Sequence, residues 1–166
     1  MLAGAAPAGL AGLAEWIAAT APAQAMRTGT WLYPAVETVH IVGFVLLVGA
    51  VAMFDLRVLG FGRALPPREL ARHLLPWSAG SMLLVVPTGL LLFVADPLAL
   101  LANRVFLLKL GLMVLAGLNA LAFHAGPYRR AEAWPDRAPP RAMLHALLSL
   151  ALWFGVIACG RLLAYF

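Results

Sequence analysis

Charge is scarce in this sequence. Asp, Glu, Lys and Arg make up 11% of its 166 residues, against about 25% in a soluble domain. A soluble fold of this length has no interior large enough for the 63% of residues that are hydrophobic. A bilayer removes the difficulty by acting as their solvent. Cysteine is scarcer still: Cys159 stands alone in the last apolar run. It has no partner for an internal disulfide and reads as a small packing residue. The chain has no Cys pair, Cys-His cluster or His-Glu-x-x-His run of the kind that holds zinc. A Ser/His/Asp set, a Walker loop and a dinucleotide fingerprint are also missing. Met53, Met82, Met113 and Met143 are scattered, which argues weakly for a thioether copper path. Residues 1–7 hold no basic stretch, so a cleaved signal peptide is not expected.

The formal net charge is +5. Eight of the twelve Lys and Arg residues lie in two short stretches, Arg57 to Arg72 and Arg129 to Arg141. Both stretches join long apolar runs. That is the positive-inside pattern of a membrane protein, and no nucleic-acid partner is expected.

Four runs are long enough to span a hydrocarbon core of about 30 Å: Trp31 to Leu56, Leu74 to Val94, Val105 to His124 and Met143 to Leu163. The fold class expected is all-α, an integral membrane four-helix antiparallel bundle over residues 31–166. Residues 1–30 form an outer-surface segment. The first and third connections carry the arginines and face the cytoplasm; the short connection at Asp96-Pro97 faces out. Both termini then lie outside the inner membrane of a bacterium. Trp31, Tyr33, Tyr165 and Phe166 stand at the outer interface and Trp77 at the inner one. Within residues 8–19, Leu10, Leu13, Trp16 and Ile17, followed by Thr20, recur at three- and four-residue spacings. This run is too short to span, and it reads as an interfacial helix ended by Ala21-Pro22. A disordered tail is the alternative. Pro87 in the second span is expected to kink it. Gly43, Gly49, Gly80, Gly111, Gly117, Gly155 and Gly160 permit close helix packing or a flat ligand.

Titratable groups inside apolar spans are costly and point to function. The outer set is Glu37, His40, Lys109 and Arg161. Glu37 and His40 share a face of the first span, and Lys109 and His40 lie at similar depth. The inner set is Asp55, Arg57, His73, His124 and His145, in which a His73–His145 pair across the bundle is geometrically open. Histidines on facing helices ligate b-type haem, glycines leave room for the macrocycle, and Arg or Lys pair its propionates. His40 is the expected axial ligand to iron, with Glu37 orienting it. Lys109 is a second ligand, a propionate partner or an acid-base group, and Arg161 holds a propionate. His73, His124 and His145 are candidates for a second, inner haem. Each has a structural alternative: His40 bonded to Glu37, and the inner histidines merely interfacial.

The run Trp31 to His40, then Asp55-Leu56-Arg57-Val58-Leu59-Gly60, then Phe106 to Lys109, and Trp153 with Gly160-Arg161, resembles a family of uncharacterised bacterial four-helix membrane proteins. His40 with Gly43, Arg57, Lys109-Leu110 and His124 are distantly similar to features of the four-helix membrane protoporphyrinogen oxidases; the copper-resistance D-type proteins share the plan. The resemblance implies a haem or porphyrin site at His40 and Lys109. The first connection is shorter here and the interval from Lys109 to His124 longer, which separates the tetrapyrrole site from the oxidase activity. The expected function is haem b binding with electron transfer, to or from quinone or a redox protein. Alternatives are a porphyrinogen oxidase-like enzyme, a copper or small-solute permease, and a scaffold subunit. The expected partners are the lipid bilayer and either a second copy or a larger membrane complex.

Overall fold

A computed structural model describes residues 8–62, 64–134 and 137–165. Residues 1–7, Arg63 and Phe166, which carry some of the expectations above, lie outside the described residues, as does the side chain of Leu10. Every regular element among the described residues is helical: α1 (Ala8–Ala18), α2 (Ala21–Thr28), α3 (Leu32–Val58), α4 (Pro67–Ala95), α5 (Pro97–Ala102), α6 (Arg104–Ala125), a 3₁₀ segment (Pro127–Ala133) and α7 (Pro140–Leu162). Four of them, α3, α4, α6 and α7, are long and apolar enough to cross a membrane. Helices suit that solvent because every interior backbone group is bonded within its own segment.

The chain's punctuation residues set the boundaries. Pro67, Pro97 and Pro140 open α4, α5 and α7, where a missing N–H costs nothing. Asn103 caps α6, its side-chain oxygen accepting from Val105 N at 2.8 Å and Phe106 N at 3.3 Å. Gly60 and Gly62 turn the chain after α3 at φ +106° and +62°, backbone that other residues rarely adopt. Two expectations shift. Helix α4 starts at Pro67 rather than Leu74, because a polar first two turns with Pro in the leading position are good helix. It runs unbroken to Ala95 with Pro76 and Pro87 inside it. And Pro22 does not simply end the N-terminal helix: it sits in the first turn of a second one, α2.

The long helices pack in the order α4–α3–α7–α6. Neighbours are antiparallel. His40 and Gly43 of α3 meet Thr88 and Val85 of α4; Phe44 and Asp55 of α3 meet Trp153 and Ser149 of α7; Lys109 and Asn119 of α6 meet Gly160 and His145 of α7. Between α4 and α6 there is no close backbone approach among the described residues. Their side chains meet at Phe93 and Phe106, rings stacked at 5.9 Å.

The burial pattern is inverted relative to a soluble protein. Leu83 is 79% exposed and Phe154 74%, while Asp55, Arg57, Ser81, Asn119 and Ser149 are buried. Apolar surface faces out, as lipid requires. The two ends differ. At the arginine-rich end, Phe54, Val58, Ala71, Phe123, Ala142 and Ala146 form one cluster, ringed by Tyr128 and Trp134. At the other end α1 and α2 cover the helix termini. There Met26, Val36 and Ala95 form a smaller cluster. Helix α1 buries Ala14 and turns Leu13 and Trp16 outward. Arg27 donates to the carbonyls of Ala18 and Ala95, the last turns of α1 and α4. A cation there bonds carbonyls that have no intrahelical partner and opposes the helix dipoles.

Candidate functional site

His40 lies in the third turn of α3 and faces α4. Its Nδ1 is 3.0 Å from Thr88 Oγ1. The single hydroxyl proton of Thr88 goes to the Leu84 carbonyl, so toward His40 the threonine oxygen accepts. The imidazole therefore carries its proton on Nδ1 and has a lone pair at Nε2, which no side chain bonds among the described residues; the Val85 backbone also hydrogen-bonds the ring. Gly89 makes this fit possible: a methyl group at that position would stand 3.1 Å from His40 Cε1. Pro87-Thr88-Gly89 is thus the seat of the histidine. One turn along α3, Phe44 stacks on His40 at 6.4 Å and meets Trp153 edge-on at 5.9 Å.

Lys109 reaches the same level from α6. Its Nζ lies 3.8 Å from where a side chain on Gly160 would begin, so glycine admits the ammonium beside α7. Lys109 has no hydrogen bond or ion pair among the described residues, yet its charge is felt at the His40 ring. An unpaired lysine in a span costs about 2.5–3.5 kcal/mol on insertion scales. Glu37 also acts on His40 electrostatically, but its side chain is exposed and it is Thr88 that bonds the ring. Arg161 is exposed at the end of α7, donating to Tyr165 Oη at 2.6 Å with its guanidinium 4.8 Å from the ring centre. Of the outer four, His40 and Lys109 come together, Glu37 stands beside them, and Arg161 is held by Tyr165.

The inner histidines are not brought into one site. His73 is exposed on α4, and α4 and α7 make no close backbone approach among the described residues; His145 is bonded to Asn119 instead. His124 is exposed and its Nδ1 lies 2.8 Å from the Ala120 carbonyl. His145 Nδ1 lies 2.7 Å from Asn119 Oδ1, and Asn119 Nδ2 donates back to the His145 carbonyl at 3.0 Å. Among the described residues no three His, Cys, Asp or Glu side chains converge on a point that would hold a metal ion.

Thr88, Asn119, Ser149 and Arg27 are the residues sequence reasoning passed over. The first three are neutral polar side chains inside apolar spans, and attention to charge alone leaves them out. Comparison with known protein families, curated proteins and solved structures finds no match. The resemblance to the four-helix families therefore rests on the quoted residues alone.

Proposed function

We propose that the chain is a multi-pass protein of a bacterial inner membrane, with both termini outside, that binds haem b at His40 and passes electrons to quinone or a redox protein. The observation that carries this reading is the half-used imidazole. Thr88 fixes the ring and its tautomer through Nδ1, as the partners of metal-bound histidines do, and Nε2 is left to a ligand. A haem iron brings four pyrrole nitrogens, so one imidazole is enough; a metal held by side chains alone needs three or four. Gly89 and Gly160 keep bulk away from the two polar heads, and α6 does not close on α4 beside them. A haem bound there supplies one-electron chemistry. His40 anchors it, Phe44 and Trp153 wall it from the lower bundle, and Lys109 offers a cation to a propionate. The eight clustered Lys and Arg residues support the orientation, and the outward Leu13 and Trp16 of α1 support an interfacial place for it.

The free amine of Lys109 favours one second reading in the same site, a porphyrinogen oxidase-like enzyme in which the tetrapyrrole is substrate and Lys109 moves a proton. The test is haem per protein and the reduced-minus-oxidised spectrum of purified wild type and His40→Ala, at matched membrane insertion. Wild type should show a Soret band with sharp reduced bands, and His40→Ala should lose them. Equal haem in both removes His40 as the ligand. A colourless wild type that consumes porphyrinogen selects the second reading. Reporter fusions after Pro97 and at the C-terminus should report the outer side; a cytoplasmic C-terminus would overturn the orientation.

A further inference from the structure

The arginine-rich end holds a group that the haem reading does not use. Asp55 sits one turn before the end of α3 and is 6% exposed. Its neighbours in sequence, Phe54 and Val58, belong to the packed cluster that joins α3 to α7. Ser149 of α7 hydrogen-bonds its carboxyl group. The other oxygen, Oδ2, is fully buried and has no hydrogen-bond partner among the described residues. No cation makes an ion pair with Asp55 among the described residues. The charged and titratable groups around this end are engaged or point away. Arg57 donates from Nε to the Leu65 carbonyl, and His145 is bonded to Asn119. Tyr128 meets Phe54 edge-on and lies tilted against Phe123 and His124. Arg68, Arg72, His73 and Arg141 are exposed.

An ionised carboxylate in such a place has one hydrogen bond and no counter-charge, an arrangement that proteins avoid because desolvation is uncompensated. A neutral carboxylic acid matches the surroundings far better. Ser149 donates to Oδ1, the carbonyl oxygen of the acid, and Oδ2 carries the O–H. A cation in place of the proton is disfavoured, since a single carboxylate and a serine hydroxyl are too few oxygens to replace its hydration.

A cavity that can hold water also lies nearby. A cavity of about 220 Å³ is lined by Val58, Leu59 and Gly60 at the end of α3, by Met143 of α7, and by Arg137 and Ala138 of the connection. Residues 58 and 59 follow Asp55 by three and four positions, so the cavity begins one turn away along the same face. At about 30 Å³ per molecule it has room for several waters.

We infer that Asp55 is a proton-binding site, held as the neutral acid by burial against Ser149 and exchanging its proton with water in the cavity at the arginine-rich end. When a water from the cavity reaches the carboxyl group, release breaks the Oδ2–H bond and forms hydronium from that water, leaving a carboxylate that Ser149 still bonds. Uptake reverses this. One positive charge moves along about one helical turn in either direction. The inference is independent of whether haem binds at His40.

Infrared spectroscopy of the purified protein in detergent tests it. At neutral pH the wild type should show the C=O stretch of a protonated carboxyl group. The band should be lost in Asp55→Asn, which keeps the shape of the side chain and its bond to Ser149. It should move to higher frequency in Ser149→Ala, where the C=O loses its donor, and shift in D₂O before the bulk of the backbone amides exchange. Should Asp55→Asn fail to fold, the Ser149→Ala shift and the D₂O shift in folded protein still decide. Identical spectra in this region for wild type and Asp55→Asn would mean that Asp55 is ionised, and would overturn the inference. A band that resists D₂O until the protein is unfolded would overturn the exchange and leave only a sealed acid.

Discussion

At the arginine-rich end His145 and Asn119 satisfy each other twice, side chain to side chain and amide to backbone carbonyl. At the α2 end His40 uses Nδ1 on Thr88, and no side chain among the described residues bonds its Nε2 or pairs with Lys109 across from it. Both histidines lie in apolar helices, and both have Nδ1 fixed by a neighbouring helix. The packing around them separates the two. His145 stands beside a dense aromatic cluster in which Phe123 lies 6.1 Å from its ring, and the helices there are joined on several sides. His40 stands where α6 and α4 make no close backbone approach among the described residues and meet through the stacked rings of Phe93 and Phe106. A polar pair inside dense packing is a structural fastening. A half-satisfied pair where two helices have no close backbone approach is what a ligand site needs.

The most forceful way to break this comparison is to delete each histidine and read two quantities. His40→Ala should remove essentially all bound haem and change thermal stability little once haem-free samples are compared. His145→Ala should leave haem per protein unchanged. A haem loss in His145→Ala equal to that in His40→Ala would erase the distinction between the ends.

A smaller effect is expected one bond further out. Thr88→Val keeps the shape beside His40 and removes the acceptor for its Nδ1–H. Partners of this kind contribute about 10- to 100-fold in metal affinity. A haem titration should therefore show weakened binding with the iron still histidine-bound. An affinity equal to wild type would show that Thr88 only packs.

At the other end, Asn119→Leu leaves the His145 Nδ1–H without its partner and removes the second bond on the His145 carbonyl, which stays bonded within α7. The expected cost is about 1–3 kcal/mol, read as a lower denaturation midpoint in detergent with haem content untouched. A neutral result would mean that the pair is not a fastening.

The mildest change concerns the cover over the site. Arg27→Met should cost globally no more than about 0.5 kcal/mol, as expected for an exposed substitution. It should still accelerate hydrogen exchange in α1 and α2, because the carbonyls of Ala18 and Ala95 lose their shared donor. Unchanged exchange there would show that the two helices hold without it.

Particular residues mark how far the sequence is legible. The four spans are readable because about 20 consecutive apolar residues carry one meaning in a bilayer, and α6 agrees with its expected limits to within a residue. The start of α4 is missed because Pro67-Arg68-Glu69-Leu70 looks like a loop by hydropathy while its Pro favours a helix start. His40 and Lys109 stand out because titratable side chains are rare in spans. Thr88 does not, because a hydroxyl can satisfy itself on its own helix, and only its bond to another helix gives it a role. Asp55 and Ser149 pose the same difficulty, since neither residue announces the other 94 positions away.

By itself, then, the sequence determined the solvent, the number of spanning helices and the short set of side chains that a bilayer makes expensive, because these depend on local composition and chain length. The tertiary structure decided which of those side chains are used up. It gave His145 to Asn119, Arg161 to Tyr165 and His40 to Thr88. Among the described residues it left His40 Nε2 and the Lys109 amine without a side-chain partner and one oxygen of Asp55 without a hydrogen bond. Hydrogen-bond capacity is filled through space by whatever helix lies alongside, and no spacing along the chain records which helix that is.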